Sequence, residues 1–156
     1  MKIQTKYFGE ITIEQSQVIE FPAGLPGFEN EKHFVLLSLD GEGNYQVLQS
    51  IINEQISLIV TNPYLFFHSY EFNIDDASLD LLEISSSKDV LVLAVLTLRN
   101  PFAKTTANLQ APLIINHRVN KGKQLILNDN GYHTKHLLEA SLKEADADAR
   151  AESKSK

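Results

Sequence analysis

The sequence predicts an all-β fold, mainly antiparallel, in the form of one small β-barrel-like domain with one or two short helices. Three observations carry this expectation. Apolar and polar residues alternate at period two through the N-terminal half, and short apolar runs recur between turn-rich pieces such as Asp40-Gly41-Glu42-Gly43-Asn44. One longer run, Val90 to Leu98, is β-branched, leucine-rich and apolar on both faces. Many short strands separated by turn signals favour a barrel or sandwich over a layered α/β arrangement.

Along the chain, Ile3, Thr5 and Tyr7 alternate with Lys2, Gln4 and Lys6, Gly9 punctuates, and Ile11 and Ile13 resume the alternation. This predicts a hairpin of half-buried strands. Val18 to Phe21, Phe34 to Leu39, Tyr45 to Ser50 and Ile56 to Thr61 are the next strands. Val90 to Leu98 reads as a central strand, and Leu113 to Ile115 and Gln124 to Leu127 as edge or hairpin strands around Lys121-Gly122. Helix is scarcer: Asp75 or Asp76 caps a short one with Leu79 and Leu82 on one face. A second helix is expected from about Thr134 into the tail, with Leu138 and Leu142 four apart and able to dock. Beyond Ala145 nothing bulky is offered for burial, so the domain is expected over 1–142 and residues 143–156 form a charged tail, disordered when free.

At 156 residues, 43% hydrophobic and 22% charged, the chain is sized for a single core. Twenty acidic against 14 basic side chains give a net charge of -6, which disfavours the phosphates of nucleic acid and an anionic membrane face and suits a basic protein partner. Cysteine is absent, which excludes disulfides, thiolate nucleophiles and thiolate-bound zinc and is compatible with a reducing cytoplasm. The first residues hold no apolar signal core and Val90 to Leu98 is too short to span a bilayer, so a cytoplasmic location without membrane contact is expected.

The motifs of catalysis are weak. Of five histidines only His133 and His136 have a helical spacing, too few ligands for zinc, and no metal or other cofactor is expected. Ser85-Ser86-Ser87-Lys88 sets a hydroxyl beside an amine but reads as a polar loop. Asp75-Asp76 and Asp146/Asp148 are paired carboxylates of the kind glycosidases use, yet a helix start accounts for such pairs through capping. Gly24-Leu25-Pro26-Gly27 and Gly41-Glu42-Gly43 lack the lysine of a phosphate loop and read as turns. Tyr64, Phe66, Phe67, Tyr70 and Phe72 are flanked by Glu71, Asp75 and Asp76 instead of basic residues, which argues against direct RNA binding. The alternative to a binding protein is a small carbohydrate-binding or hydrolytic β domain, which would need a polar pocket of convergent carboxylates or histidines.

Four stretches carry a family resemblance. They are Phe21-Pro22-Ala23-Gly24-Leu25-Pro26-Gly27-Phe28-Glu29, Leu48-Gln49-Ser50, Asn62-Pro63 leading to Tyr70-Glu71, and Thr106-Ala107-Asn108-Leu109-Gln110-Ala111-Pro112-Leu113-Ile114-Ile115-Asn116. In order, over residues 3 to about 138, they resemble the FliW family of flagellar assembly factors. The resemblance implies a cytoplasmic, non-enzymatic protein with two partners: newly made flagellin, and CsrA, a dimeric translational regulator that represses flagellin synthesis. It implies a partner switch in which flagellin occupies the protein until export drains it, after which the freed protein antagonises CsrA. It favours an antagonist that grips CsrA away from its RNA-binding surface; the tail after Leu142 matches nothing in the resemblance.

The candidate partner-binding residues are Leu25, Phe28, Tyr70, Glu71, Phe102 and Asn108. Gly24 and Gly27 supply unusual backbone angles and Phe21 belongs to the core, so Leu25 and Phe28 are either part of that frame or exposed apolar anchors on a tight loop. Tyr64-Leu65-Phe66-Phe67 either plugs one end of the barrel, the favoured reading, or forms an apolar groove. Phe102 and Asn108 bracket a loop between two strands, where asparagine commonly bonds its own backbone.

Overall fold

Alternation becomes strand pairing from the first residues. In the computed structural model, which describes residues 1–128 and 131–138, β1 (Lys2–Thr5) and β2 (Gly9–Thr12) pair antiparallel with Ile3 opposite Ile11. Gly9 takes a φ of 65° and Thr5 Oγ1 donates to its carbonyl, so Tyr7 falls in the turn and is exposed, off the buried face that Ile3 and Thr5 share.

The remaining strands are β3 (Ile19–Glu20), β4 (His33–Ser38), β5 (Tyr45–Ser50), β6 (Ser57–Thr61), β7 (Val90–Thr97), β8 (Thr106–Asn116), β9 (Lys121–Gln124) and β10 (His136–Leu137). From β3 to β9 each strand pairs antiparallel with the next, and β9 also meets β3 in parallel, Glu20 opposite Lys121. Seven strands thus close into a ring, which leaves few open sheet edges, and β10 adds to the start of β8.

One residue set points inward from around the ring: Ile19, Phe34, Leu48, Val60, Leu93, Leu113 and Ile115 pack with Phe21 and Leu25. The opposite face of the same strands, with Val47, Ile59, Ala94, Leu96 and Ile114, forms a second cluster that Phe66, Tyr70, Leu82, Leu127 and Leu138 cover. The β1–β2 hairpin lays Ile3 and Ile13 on Val35 as a third. β7 is therefore apolar on both faces because both are covered, each buried leucine or valine stabilising the fold by roughly 2 kcal/mol.

The helix α1 (Asp76–Leu81) starts where a capping aspartate predicts it: Asp75 accepts the Ser78 amide at 3.1 Å and the Ser78 hydroxyl at 2.7 Å. Leu82, just past its end, is fully buried.

Three sequence expectations are corrected. The β8–β9 turn lies at His117–Asn120, with Asn120 at a φ of 54°, and not at Lys121-Gly122. Gly122 serves packing: a Cβ there would sit 2.7 Å from the Phe21 ring. The strand consequently runs Lys121–Gln124 and ends where Gln124–Leu127 was expected to begin, although Leu125 and Leu127 still donate to the carbonyls of Pro112 and Gln110. The second helix does not start at Thr134: β8 is eleven residues long, and His136–Leu137 pairs with its first two. Leu138 docks in the core as its position predicts, whereas Leu142 and the tail 143–156 lie outside the described residues.

Candidate partner-binding surface

The loop after β3 is a folded device. Leu25-Pro26-Gly27-Phe28 is a tight turn with Leu25 and Phe28 bonded through both backbones, proline at its second position and Gly27 at a φ of 86°, the arrangement of a type II turn. Gly24 is held harder: its φ is 67° and a Cβ would lie 2.4 Å from the Glu29 carbonyl oxygen. The turn drives Leu25 into the barrel interior, where it is 1% exposed, and leaves Phe28 44% exposed. Leu25 is therefore a core residue and not an exposed anchor; Phe28 alone of this pair is presented to solvent.

The second candidate region begins at Asn62, whose side chain accepts the Tyr64 amide at 2.9 Å while Pro63 opens a 3₁₀ turn over Pro63–Leu65. That turn buries Phe66 and half-buries Phe67, as a plug requires, but leaves Tyr64 and Leu65 on the surface. Tyr70 is buried too, contrary to its expected place in a contact surface: its hydroxyl donates to the Leu109 carbonyl at 2.7 Å, and burial raises its pKa far above the usual phenol range. Around its ring stand Tyr64 at 5.9 Å, Phe72 at 5.2 Å and Tyr132, edge-on, at 4.8 Å. Tyr132 also accepts the Glu71 amide, which fixes the backbone there and leaves the Glu71 side chain exposed.

Phe102 lies on a short 3₁₀ turn between β7 and β8, 47% exposed and edge-on to Tyr45 at 6.3 Å; Tyr45 in turn tilts against Phe66. Asn108 lies inside β8 and not in the loop it was expected to bracket; its Oδ1 accepts the amides of Gln110 and Ala111, so it bonds its own backbone as expected and shapes the strand. His133 and His136 stack at 4.6 Å, and His136 Nε2 accepts the His133 amide. Ser86 accepts the Lys88 amide in a turn, as the polar-loop reading has it.

The six candidates thus separate. Leu25 belongs to the interior cluster with Phe28 exposed at the end of its turn, Tyr70, Glu71 and Phe102 belong to the covering layer on the other face of the sheet, and Asn108 is part of β8 itself. The covering layer also contains Tyr45 and Tyr132, which sequence reasoning missed: Tyr45 reads simply as the start of a strand and Tyr132 sits in no periodic pattern. Between Tyr64, Tyr70, Phe72 and the start of β7 opens a groove of about 600 Å³, with Glu71 in its lining. Among the described residues, no helix is long and apolar enough to cross a membrane, and no three His, Asp or Glu side chains are grouped to hold a metal ion.

Comparison with known proteins places this frame. A relative from Bacillus velezensis, named flagellar assembly factor FliW, is 51% identical over 138 residues, 88% of this chain and 96% of its own. One of the same name from Bacillus pumilus is 48% identical over 141 residues, covering 90% and 98%. A crystal structure described as the flagellar assembly factor FliW superimposes with a TM-score of 0.85 at 43% identity, over 88% of this chain and 96% of that one. The family described as FliW protein matches residues 2–138, every strand described above, and the chain belongs to the FliW family.

Proposed function

We propose that this chain is a cytoplasmic flagellar assembly factor that works by binding proteins and turns over no substrate. The observation that carries the reading is family membership across the whole barrel, with relatives that bear that name at 48% and 51% identity. Its partners are flagellin and the translational regulator CsrA. Flagellin in excess holds the protein; when export depletes flagellin, the freed protein binds CsrA and relieves repression, so flagellin synthesis follows secretion by mass action alone.

What supports a protein-binding role is the surface. Phe28, Tyr64 and Phe102 are each more than a third exposed, and aromatic rings on rigid turns are side chains that anchor protein interfaces. The net charge of -6 complements a basic RNA-binding partner and repels RNA itself. Two of the groups a hydrolytic domain would use serve the frame: the Asp75 carboxylate caps α1, and the Ser86 hydroxyl accepts the Lys88 amide in a turn.

The test is a calorimetric titration of the full chain with CsrA from the same organism, repeated after saturation with flagellin. A defined heat that flagellin abolishes is expected. Binding that flagellin leaves unchanged would remove the exclusive switch, and silence with both proteins would remove the reading altogether.

A further inference from the structure

The groove beside Tyr64 exists because β7 outruns its neighbour. Val90 to Leu93 pair with β8, but β6 meets β7 only at Val60 and Thr61 before the chain leaves into the Pro63–Leu65 turn. The trough this leaves is lined by the rings of Tyr64, Tyr70 and Phe72 together with apolar Ile84 and Val92. Glu71 also lines it, and among the described residues its carboxylate has no hydrogen-bond or ion-pair partner.

Charge is concentrated here. Residues 64–92 hold six carboxylates (Glu71, Asp75, Asp76, Asp80, Glu83 and Asp89) against one lysine, Lys88, and so account for five of the chain's six net negative charges. Two are neutralised from the β8–β9 hairpin, Glu83 by Lys121 at 2.8 Å and Asp89 by Arg118 at 3.5 Å. Lys123 reaches Ser78, the partner of Asp75, and its charge bears on that carboxylate. Glu71, Asp76 and Asp80 remain without an ion-pair partner among the described residues. Burial, the Tyr132 phenol and the Glu71 carboxylate, in that order, raise the Tyr64 pKa, so the field of Glu71 falls on a ring that lines the groove.

We propose that this groove seats a cationic side chain, arginine foremost, carried on an otherwise apolar segment of a protein partner. Aromatic faces attract a cation through their quadrupole, a neighbouring carboxylate adds a direct charge, and a planar guanidinium stacks on a ring where a hydrated ammonium does not. Ile84 and Val92, which line the same groove, take the apolar residues on either side of the arginine. The inference rests on reading the chain as a protein-binding factor and adds to it the chemistry of the group that anchors the partner.

The test is an amide-resolved NMR titration of the full chain with acetyl-Leu-Arg-Leu-amide, and with the same peptide carrying citrulline, the uncharged isostere. Shifts at Tyr64, Tyr70, Glu71, Phe72 and Val92 are expected with the arginine peptide. Both the citrulline peptide and the Glu71→Gln variant should bind roughly fivefold more weakly or worse. The amide spectrum itself shows that the variant is folded. Equal shifts with citrulline, shifts confined to another surface, or none at millimolar peptide would each overturn the proposal. Failure of the whole-protein titrations with CsrA and flagellin would leave these shifts standing, so the two readings fail separately.

Discussion

The loop Phe21–Glu29 and the segment Asn62–Ile74 are both connections between strands, both punctuated by proline, both rich in large apolar side chains, and they do opposite things. The first turns Phe21 and Leu25 into the barrel and shows only Phe28. The second turns Phe66 and Tyr70 under itself but leaves Tyr64 and Leu65 outside, beside a groove with an exposed carboxylate. The stretch most specific to the family in the sequence is thus mainly a packing device, and the stretch with weaker local signal builds the larger candidate surface. A motif that identifies a chain is not by that fact its contact surface.

The largest effect expected from this contrast is at Gly24. Gly24→Ala meets both a left-handed φ and the Glu29 carbonyl 2.4 Å from the new Cβ, whereas Gly27→Ala has a φ of 86° but nothing within 4 Å. The first should cost at least about 3 kcal/mol and the second about 1 kcal/mol, read as urea unfolding midpoints. Equal losses at the two positions would mean that the loop does not pack on itself as described. The next contrast lies within the turn. Leu25→Ala should cost about 2–4 kcal/mol, while Phe28→Ala should stay within about 0.5 kcal/mol in stability and weaken partner binding instead. Were Leu25→Ala as mild as Phe28→Ala, the inward turn would be wrong.

A smaller effect sharpens the other region. Tyr70→Phe removes the hydroxyl that donates to the Leu109 carbonyl and leaves a buried acceptor with less than its share, a loss of about 1–2 kcal/mol. Tyr64→Phe, at a surface ring, should leave the unfolding midpoint within about 0.5 kcal/mol of wild type.

These contrasts show what the sequence makes legible. Period-two alternation marks the hairpin, short apolar runs between turn signals mark β4 and β5, and β7 is legible as a longer run apolar on both faces because both of its faces are covered. The cap at Asp75 was legible because its partner is three residues away. Gly122 was misread as a turn glycine because the reason for it, the ring of Phe21, stands a hundred residues earlier in the chain. β10 was misread as helix for the same reason: two residues join a strand only because β8 offers them an edge. The burial of Leu25 and Tyr70 likewise depends on long-range partners, which spacing alone does not report.

β10 brings the smallest effect and ties the covering layer to pH. His136 packs edge-on to Phe67, tilts against Tyr132 and stacks on His133, with Lys135 adjacent in sequence and its Nε2 accepting the His133 amide at 2.8 Å. Burial first, and the neighbouring His133 second, lower its pKa below that of a free imidazole. The unfolded chain therefore takes up a proton before the folded one does, and folding loses ground as pH falls. The stability this neutral ring contributes is fully present above about 6.5 and declines as pH drops toward and through the folded value. A protonated Nε2 also points a hydrogen at the amide it accepts from, so the contact that holds His133 against β8 is opposed in the same range. Urea midpoints at pH 7.5 and 5.5 should accordingly differ more for the wild type than for His136→Gln, whose amide oxygen still accepts but does not titrate. An equal pH dependence in the two proteins would place the titrating group elsewhere and detach β10 from it.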